Sequence, residues 1–213
     1  MDTSIKDFLF LPLDIPNPPD ITDELDKISH EEMTKDLYRN CHHIPIMRWR
    51  EGKGTWIFDI PPLTKYLIEH VFPWSRESRV VIITTEPFEK NPPHIDCSPE
   101  MFNTIQHKFR FVFQGKTDDL AFLTQDGNLH APNINKPFIM DGSWPHEMKN
   151  TTDKRKYTLA LGHPWEPRET DLKYSNLLHK SYKKYKNDTL LSQNRKIVDN
   201  YESLYEDVYK SKT

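Results

Sequence analysis

Cysteine is nearly missing from this chain: Cys41 and Cys97 are the only two in 213 residues. That excludes a disulfide framework and a Cys-x-x-Cys metal knuckle, and it fits a reducing compartment. Glycine is also scarce, with six residues against seventeen prolines, so stiff turns rather than supple linkers are expected between short extended segments. No apolar run approaches the roughly 20 residues of a membrane span. The opening MDTSIKDFLFLPLDIP carries neither a basic leader nor a small-residue cleavage site, which predicts a cytoplasmic chain without a signal peptide. Positive charge is not in excess either. With 29 basic and 32 acidic residues the net charge is −3, so the whole molecule offers no electrostatic pull on nucleic acid. Internal repeats and low-complexity segments are absent.

What the sequence does have is aromatic volume, at 12% of residues, enough for a sizeable core beneath a surface rich in charge. One domain over residues 1–213 is the economical reading, with a β core at about 40–166 and a helical extension at about 169–213. Near the N-terminus, DFLFLPLDIP (7–16) predicts a short strand, and Asp20 to Tyr38 predicts a helix with Leu25, Ile28 and Leu37 on one face. HIPIMRW (43–49) and GTWIFDI (54–60) predict a hairpin, and PPLTKYLIEHVF (61–72) a helix opened by proline. From Arg79 the texture turns to short β segments: RVVIITTE, KFRFVFQG, LAFLTQDG, KPFIMDG and KYTLALG. Strands at such intervals without helices between them argue for a sandwich or barrel. Past Pro167 the chain reads as polar and helical to its end. Its basic stretch HKSYKKYKNDTLLSQNRK (179–196) is either a solvated helix face or a surface for a phosphate backbone.

Within NPPHIDCSPE (91–100), His94 and Asp96 stand two apart on an extended segment and so point the same way. Composition alone produces about one such pair by chance, so the pair needs a third partner. The stretch FIMDGSWPHEMKN supplies His146, placed after a strand end and a tight turn. Two imidazoles and one carboxylate, split between an early and a late strand, occupy one face of an octahedral metal and leave other positions open, which suits Fe(II). Such a metal also needs an organic co-reductant held by a fixed cation. Lys156 lies ten residues beyond His146, with Thr158 on the same strand face, and Arg155 is the competitor one step away. His107 and His163 read as packing or capping residues. In Cys41-His42-His43 neighbouring side chains point to opposite faces, which weakens the run as a ligand cluster.

The segments PHID (93–96), KFRFVF (108–113) and DGSWPHEMKNTTDKRKYTLALGHPW (141–165) together resemble the Fe(II)/2-oxoglutarate-dependent dioxygenases. The nearest likeness is to the aspartyl/asparaginyl β-hydroxylase branch, which includes small proline hydroxylases, and it covers roughly residues 80 to 165. The resemblance implies a mainly β double-stranded β-helix (a jelly roll, cupin-like), with N-terminal helices and a helical C-terminal extension. It implies His94, Asp96 and His146 as catalytic metal ligands, and Fe(II), 2-oxoglutarate and O2 as cofactor and cosubstrates. It further implies Lys156, Arg155, Thr158 and Arg110 as candidates for the cosubstrate's carboxylate. The branch usually carries arginine at that position, whereas the spacing here points to Lys156. The implied activity is hydroxylation of an unactivated C–H on a Pro, Asn or Asp type of side chain, free or in a peptide, with release of succinate and CO2. A nucleic-acid-modifying oxygenase and a catalytically silent jelly-roll binding module are the alternatives. Trp144 and Phe138 are candidates for the pocket wall, or else ordinary core.

Overall fold

The computed structural model describes residues 8–36, 39–50, 53–71, 77–97, 107–162 and 172–192. Its frame is thirteen strands: β1 (Phe8–Pro12), β2 (Thr34–Lys35), β3 (His42–Arg50), β4 (Lys53–Trp56), β5 (Glu77–Thr85), β6 (Lys90–His94), β7 (His107–Gln114), β8 (Leu120–Thr124), β9 (Gly127–His130), β10 (Phe138–Asp141), β11 (His146–Lys149), β12 (Lys156–Gly162) and β13 (Leu190–Leu191). The helices are α1 (Thr22–Leu25), α2 (Pro61–Tyr66), which runs on as a π turn over Leu67–Val71, and α3 (Leu172–Lys184). A large antiparallel sheet has the order β13-β1-β10-β7-β12-β5-β3-β2, with β4 on β3, and faces a small sheet ordered β6-β11-β8-β9. From β5 to β12 the chain passes back and forth between the two sheets, with β8 and β9 a hairpin within the small one, and the result is a double-stranded β-helix.

Period-two alternation sorts the large sheet into two faces. Phe109 and Phe111 of β7, with Tyr157, Leu159 and Leu161 of β12, join Leu25, Leu63, Leu67 and Leu178 in a core beneath the helices. The opposite face looks into the barrel, where Phe138 and Met140 of β10 pack with Leu120, Phe122, Trp144 and Met148. On β7 that inward face carries Lys108 and Arg110, both buried and paired in register with Met140 and Phe138. A strand that buries cations between two sheets has given up apolar area, roughly 25 cal/mol for each Å². The polar interior marks the barrel as the place to look for a site.

The helix expected over Asp20 to Tyr38 is replaced by α1, a 3-10 turn at His30–Glu32 and β2. Local hydrogen bonds explain the interruption. The Ser29 N–H and hydroxyl both bind Glu32 Oε2, at 2.9 Å each, starting a new turn directly after Ile28. Leu25, Ile28 and Met33 are then separate anchors in the outer core. Tyr38 lies outside the described residues. The expected strand through Ile57–Ile60 also stops early, because the N–H groups of Ile57 and Phe58 both turn to Ile46 O. The hairpin itself, β3 with β4, is present.

The helical extension begins as α3, which docks through buried Leu177, Leu178 and Ser181. The Asp14 N–H donates to Ser181 Oγ at 2.9 Å, while Asp14's carboxylate binds Lys180 at 2.7 Å and Lys184 at 2.5 Å. The helix ends at Lys184, where the expected helical extension gives way to a 3-10 turn (Lys186–Asp188) and to β13, which pairs with β1; residues past 192 lie outside the described residues, as does His163. No helix among the described residues is long and apolar enough to cross a membrane.

Candidate metal centre

β6 and β11 lie side by side in the small sheet with His94 opposite His146, so the two imidazoles leave neighbouring strands at one level of the barrel. Their ring centroids are 4.4 Å apart. Asp96 sits just past the end of β6, where its N–H donates to Gly142 O at 2.8 Å. That close approach depends on glycine. A Cβ at Gly142 would meet Lys108 Cγ at 2.8 Å and Asp96 Cβ at 3.1 Å. Asp141 shapes the same turn by accepting bonds on Oδ1 from the Ser143 N–H and hydroxyl.

The histidine hydrogen bonds settle which nitrogen is free. His94 Nδ1 lies 2.8 Å from Pro92 O, and His146 Nδ1 lies 2.8 Å from Trp144 O. A carbonyl can only accept, so both Nδ1 atoms donate and both Nε2 atoms keep a lone pair. Those lone pairs converge on one carboxylate, with His94 Nε2 3.6 Å from Asp96 Oδ1 and His146 Nε2 3.8 Å from Oδ2. These separations are too long for hydrogen bonds, and the three ligand atoms lie within 4.8 Å of one another. Burial holds both imidazoles below their usual pKa, with Arg39 pressing His94 further down. Neutral imidazole is the form that binds metal. Burial opposes ionisation of Asp96, but the positive charge around it, Arg39 foremost and then Arg110, outweighs this and holds its carboxyl well below the ordinary range.

Three buried or half-buried cations surround this carboxylate. Arg39 Nη2 donates to Oδ1 at 3.0 Å, and Arg110 Nη2 donates to Oδ2 at 3.1 Å. Arg110 Nη1 is fixed in turn by the carbonyls of Phe109 and Leu161. Lys108, on the same strand face, has its pKa lowered by burial while Asp96 pulls it back. Neither Arg39 nor Lys108 was among the sequence candidates. Lys108 was legible, since it alternates with Arg110 in KFRFVF. Arg39 was hidden just past a stretch that reads as helix.

The other sequence candidates lie elsewhere. Lys156 is fully buried at the far end of β12, on one face with Thr158, but its ammonium donates to Lys116 O at 2.5 Å, Asp119 Oδ2 at 3.1 Å and Lys149 O at 3.2 Å. An ammonium has three N–H donors, and all three are engaged. Gly115, at φ +111°, makes room for the lysine stem; a Cβ there would stand 2.7 Å from Lys156 Cγ. Arg155 faces outward, bound to Glu86 Oε1 at 2.8 Å and in contact with His30. Thr158 is buried between Ile83 and Val112. Trp144 and Phe138 belong to the inner core, and His107 stacks on Phe8. Asn150 ties the β11–β12 turn to β5, its Nδ2 donating to Thr85 O, Glu86 O and Lys154 O.

No family model matches the sequence, and no curated protein matches it. Among solved structures the chain is similar to a prolyl-4-hydroxylase from Pseudomonas putida, at 11% identity and a TM-score of 0.45, over 68% of this chain and 83% of that one. It is similar to a 2OG-Fe(II) oxygenase family member from Burkholderia pseudomallei, at 12% identity and a TM-score of 0.42, over 68% of this chain and 78% of that one. It is also similar to a prolyl hydroxylase from Trichoplax adhaerens, solved with a hypoxia inducible factor peptide fragment, at 11% identity and a TM-score of 0.45. That match covers 68% of this chain and 74% of the other.

Proposed function

We propose that the protein is an Fe(II)- and 2-oxoglutarate-dependent oxygenase that hydroxylates an unactivated C–H, on an amino-acid or peptidyl side chain of the Pro, Asn or Asp type. One observation carries the reading: two Nε2 lone pairs and one carboxylate meet in the barrel, with each Nδ1 fixed by a backbone carbonyl. The donor set fits Fe(II), since hard oxygen and imidazole nitrogen occupy one side of the ion and leave the other open. On this reading His94, Asp96 and His146 hold the iron. Arg39 and Arg110 keep Asp96 ionised, and the carbonyls of Pro92 and Trp144 keep both rings in the ligating tautomer. Iron with 2-oxoglutarate and O2 supplies the oxidising power, releasing succinate and CO2 as the substrate gains a hydroxyl.

Charge decides where the cosubstrate is met. At the Lys156 end Asp119 already balances the ammonium, and a second carboxylate there would leave a buried negative charge uncompensated. Around Asp96 the cations Arg39, Lys108 and Arg110 outnumber the single carboxylate. We therefore assign the anionic cosubstrate to Arg110 and Lys108, with Lys156 and Thr158 as the rival seat. The committed Lys156–Asp119 pair also supports a second reading, a metal-binding jelly roll that takes no cosubstrate. A succinate-release screen over free amino acids, peptides and oligonucleotides separates these readings. Iron- and substrate-dependent succinate with an amino acid or peptide is the expected result. Turnover only with oligonucleotides would replace the substrate class, and no succinate with any class would favour the silent module.

A further inference from the structure

A second group of ligand atoms converges away from the centre described above. β2 pairs with β3 in the register Thr34 to His43 and Lys35 to His42, and the Asp36 N–H continues the ladder to Cys41 O at 3.0 Å. Asp36 therefore stands across from Cys41, while His43 follows Cys41 by two residues and shares its face. The alternation that separates His42 from its neighbours thus brings Cys41 and His43 together. Cys41 Sγ is 3.8 Å from His43 Nε2, and His43 Nε2 is 3.8 Å from Asp36 Oδ2. All three ligand atoms lie within 4.8 Å of one another. The imidazole–carboxylate distance is too long for a hydrogen bond. A tetrahedral zinc with ordinary bond lengths would set sulfur, nitrogen and oxygen about 3.4–3.6 Å apart, a contraction of a few tenths of an ångström for the two distances to the imidazole.

An independent observation points the same way. Asn91 of β6 is 4% exposed and hydrogen-bonds the Cys41 sulfur through its side chain, yet its Oδ1 is buried without a partner. A buried orphan acceptor beside a thiol, an imidazole and a carboxylate is what a cation would satisfy. Burial and the Asp36 charge push the free Cys41 thiol up to about 11, and burial pushes His43 down to about 4. His43 is thus already a neutral ligand, whereas Cys41 must give its proton to solvent as the metal–sulfur bond forms.

We propose that Asp36, Cys41 and His43, with the Asn91 amide beside them, form a second metal site for a zinc-like divalent ion. Thiolate, imidazole and carboxylate together select zinc or cobalt over magnesium or calcium. The site's place in the fold gives it a purpose. Arg39, two residues before Cys41, donates its guanidinium to Asp96 of the first centre. A metal bound by Cys41 and Asp36, on either side of Arg39 in the chain, fixes Arg39 where it holds Asp96.

Cobalt(II) titration of the metal-free full-length protein tests this, because a sulfur-to-cobalt charge-transfer band reports thiolate ligation alone. The band is expected in the wild type, and it should persist in His94→Ala and in Cys97→Ser. It should vanish in Cys41→Ser. Asp36→Asn, on the more exposed side of the cluster, should weaken cobalt binding at least about 10-fold, the scale of losing a supporting contact. Asp36→Asn carries the test if Cys41→Ser does not fold. A wild type without the band, a band that survives in Cys41→Ser or disappears in Cys97→Ser, or unchanged affinity in Asp36→Asn, overturns the proposal. Because His94→Ala lacks a ligand of the first centre, its retained band separates failure of this site from failure of the oxygenase reading.

Discussion

The two ends of the barrel contain similar residue types in opposite condition. Around Asp96 the buried groups include ligand atoms 3.6 and 3.8 Å apart that are too distant to bond one another, and cations in excess of carboxylate. Around Lys156, four residues and so about 13 Å along β12 from Ala160, the strand partner of Arg110, every donor of the ammonium is matched. Thr151 also donates its hydroxyl to Asp119 at 2.8 Å. One end is arranged for something to be added, the other is complete as it stands. A buried ion alone therefore does not mark a functional site. What marks it is a set of groups whose hydrogen-bonding capacity the protein leaves unused.

The comparison breaks most sharply at the proposed metal ligands. His94→Ala, Asp96→Ala and His146→Ala are each expected to abolish turnover and strip bound iron while the circular dichroism of the fold is kept. Normal iron content and activity in any one of them would remove that residue from the ligand set.

Lys156→Ala comes next, and its effect should fall on stability. Leaving Asp119 buried without its cation costs about 3–5 kcal/mol, to be read from denaturant unfolding. The double change Lys156→Met with Asp119→Leu should recover most of that loss. A stable Lys156→Ala protein that has lost affinity for 2-oxoglutarate would instead return the cosubstrate to the closed end.

Arg110→Ala should weaken 2-oxoglutarate binding by roughly 10- to 100-fold, the worth of about 1.5–3 kcal/mol for a hydrogen bond to a charged group. Arg155→Ala should leave it unchanged, since Arg155 faces Glu86 on the outside. Equal losses in the two variants would count against the assignment.

The smallest effect concerns the docking of α3. The side chains of Lys180 and Lys184 hold the Asp14 carboxyl below its ordinary value of 3.8. A depressed folded pKa gives stability that is present above the unfolded value and lost as pH falls through the folded one. Wild type and Asp14→Asn should therefore differ slightly at neutral pH and converge below about pH 4. A difference that persists at lower pH would mean that the ion pairs are not its source.

How far the sequence could be read follows from the range of the interactions involved. The five apolar strands β5, β7, β8, β10 and β12 were legible because alternation is local, as was the grouping of His94, Asp96 and His146 by residue type, whereas the exposed β9 carried no such signal. The commitment of Lys156 was not legible, because its partner Asp119 is 37 residues away and only the fold joins them. Asp20 to Tyr38 misled for a related reason. Its apolar spacing fits a helix, while Ser29 and Glu32 close a local turn and β2 is recruited by β3. Arg39 was invisible because its role depends on that recruitment, 57 residues from Asp96.

On the proposed reading His94, Asp96 and His146 hold an iron that 2-oxoglutarate can approach. Anaerobic addition of Fe(II) and then 2-oxoglutarate, followed by visible absorption, reads this out. A weak charge-transfer band is expected in the wild type that requires both additions and is absent in Asp96→Ala. A wild type with no band, or an Asp96→Ala protein that develops one of equal strength, would contradict it.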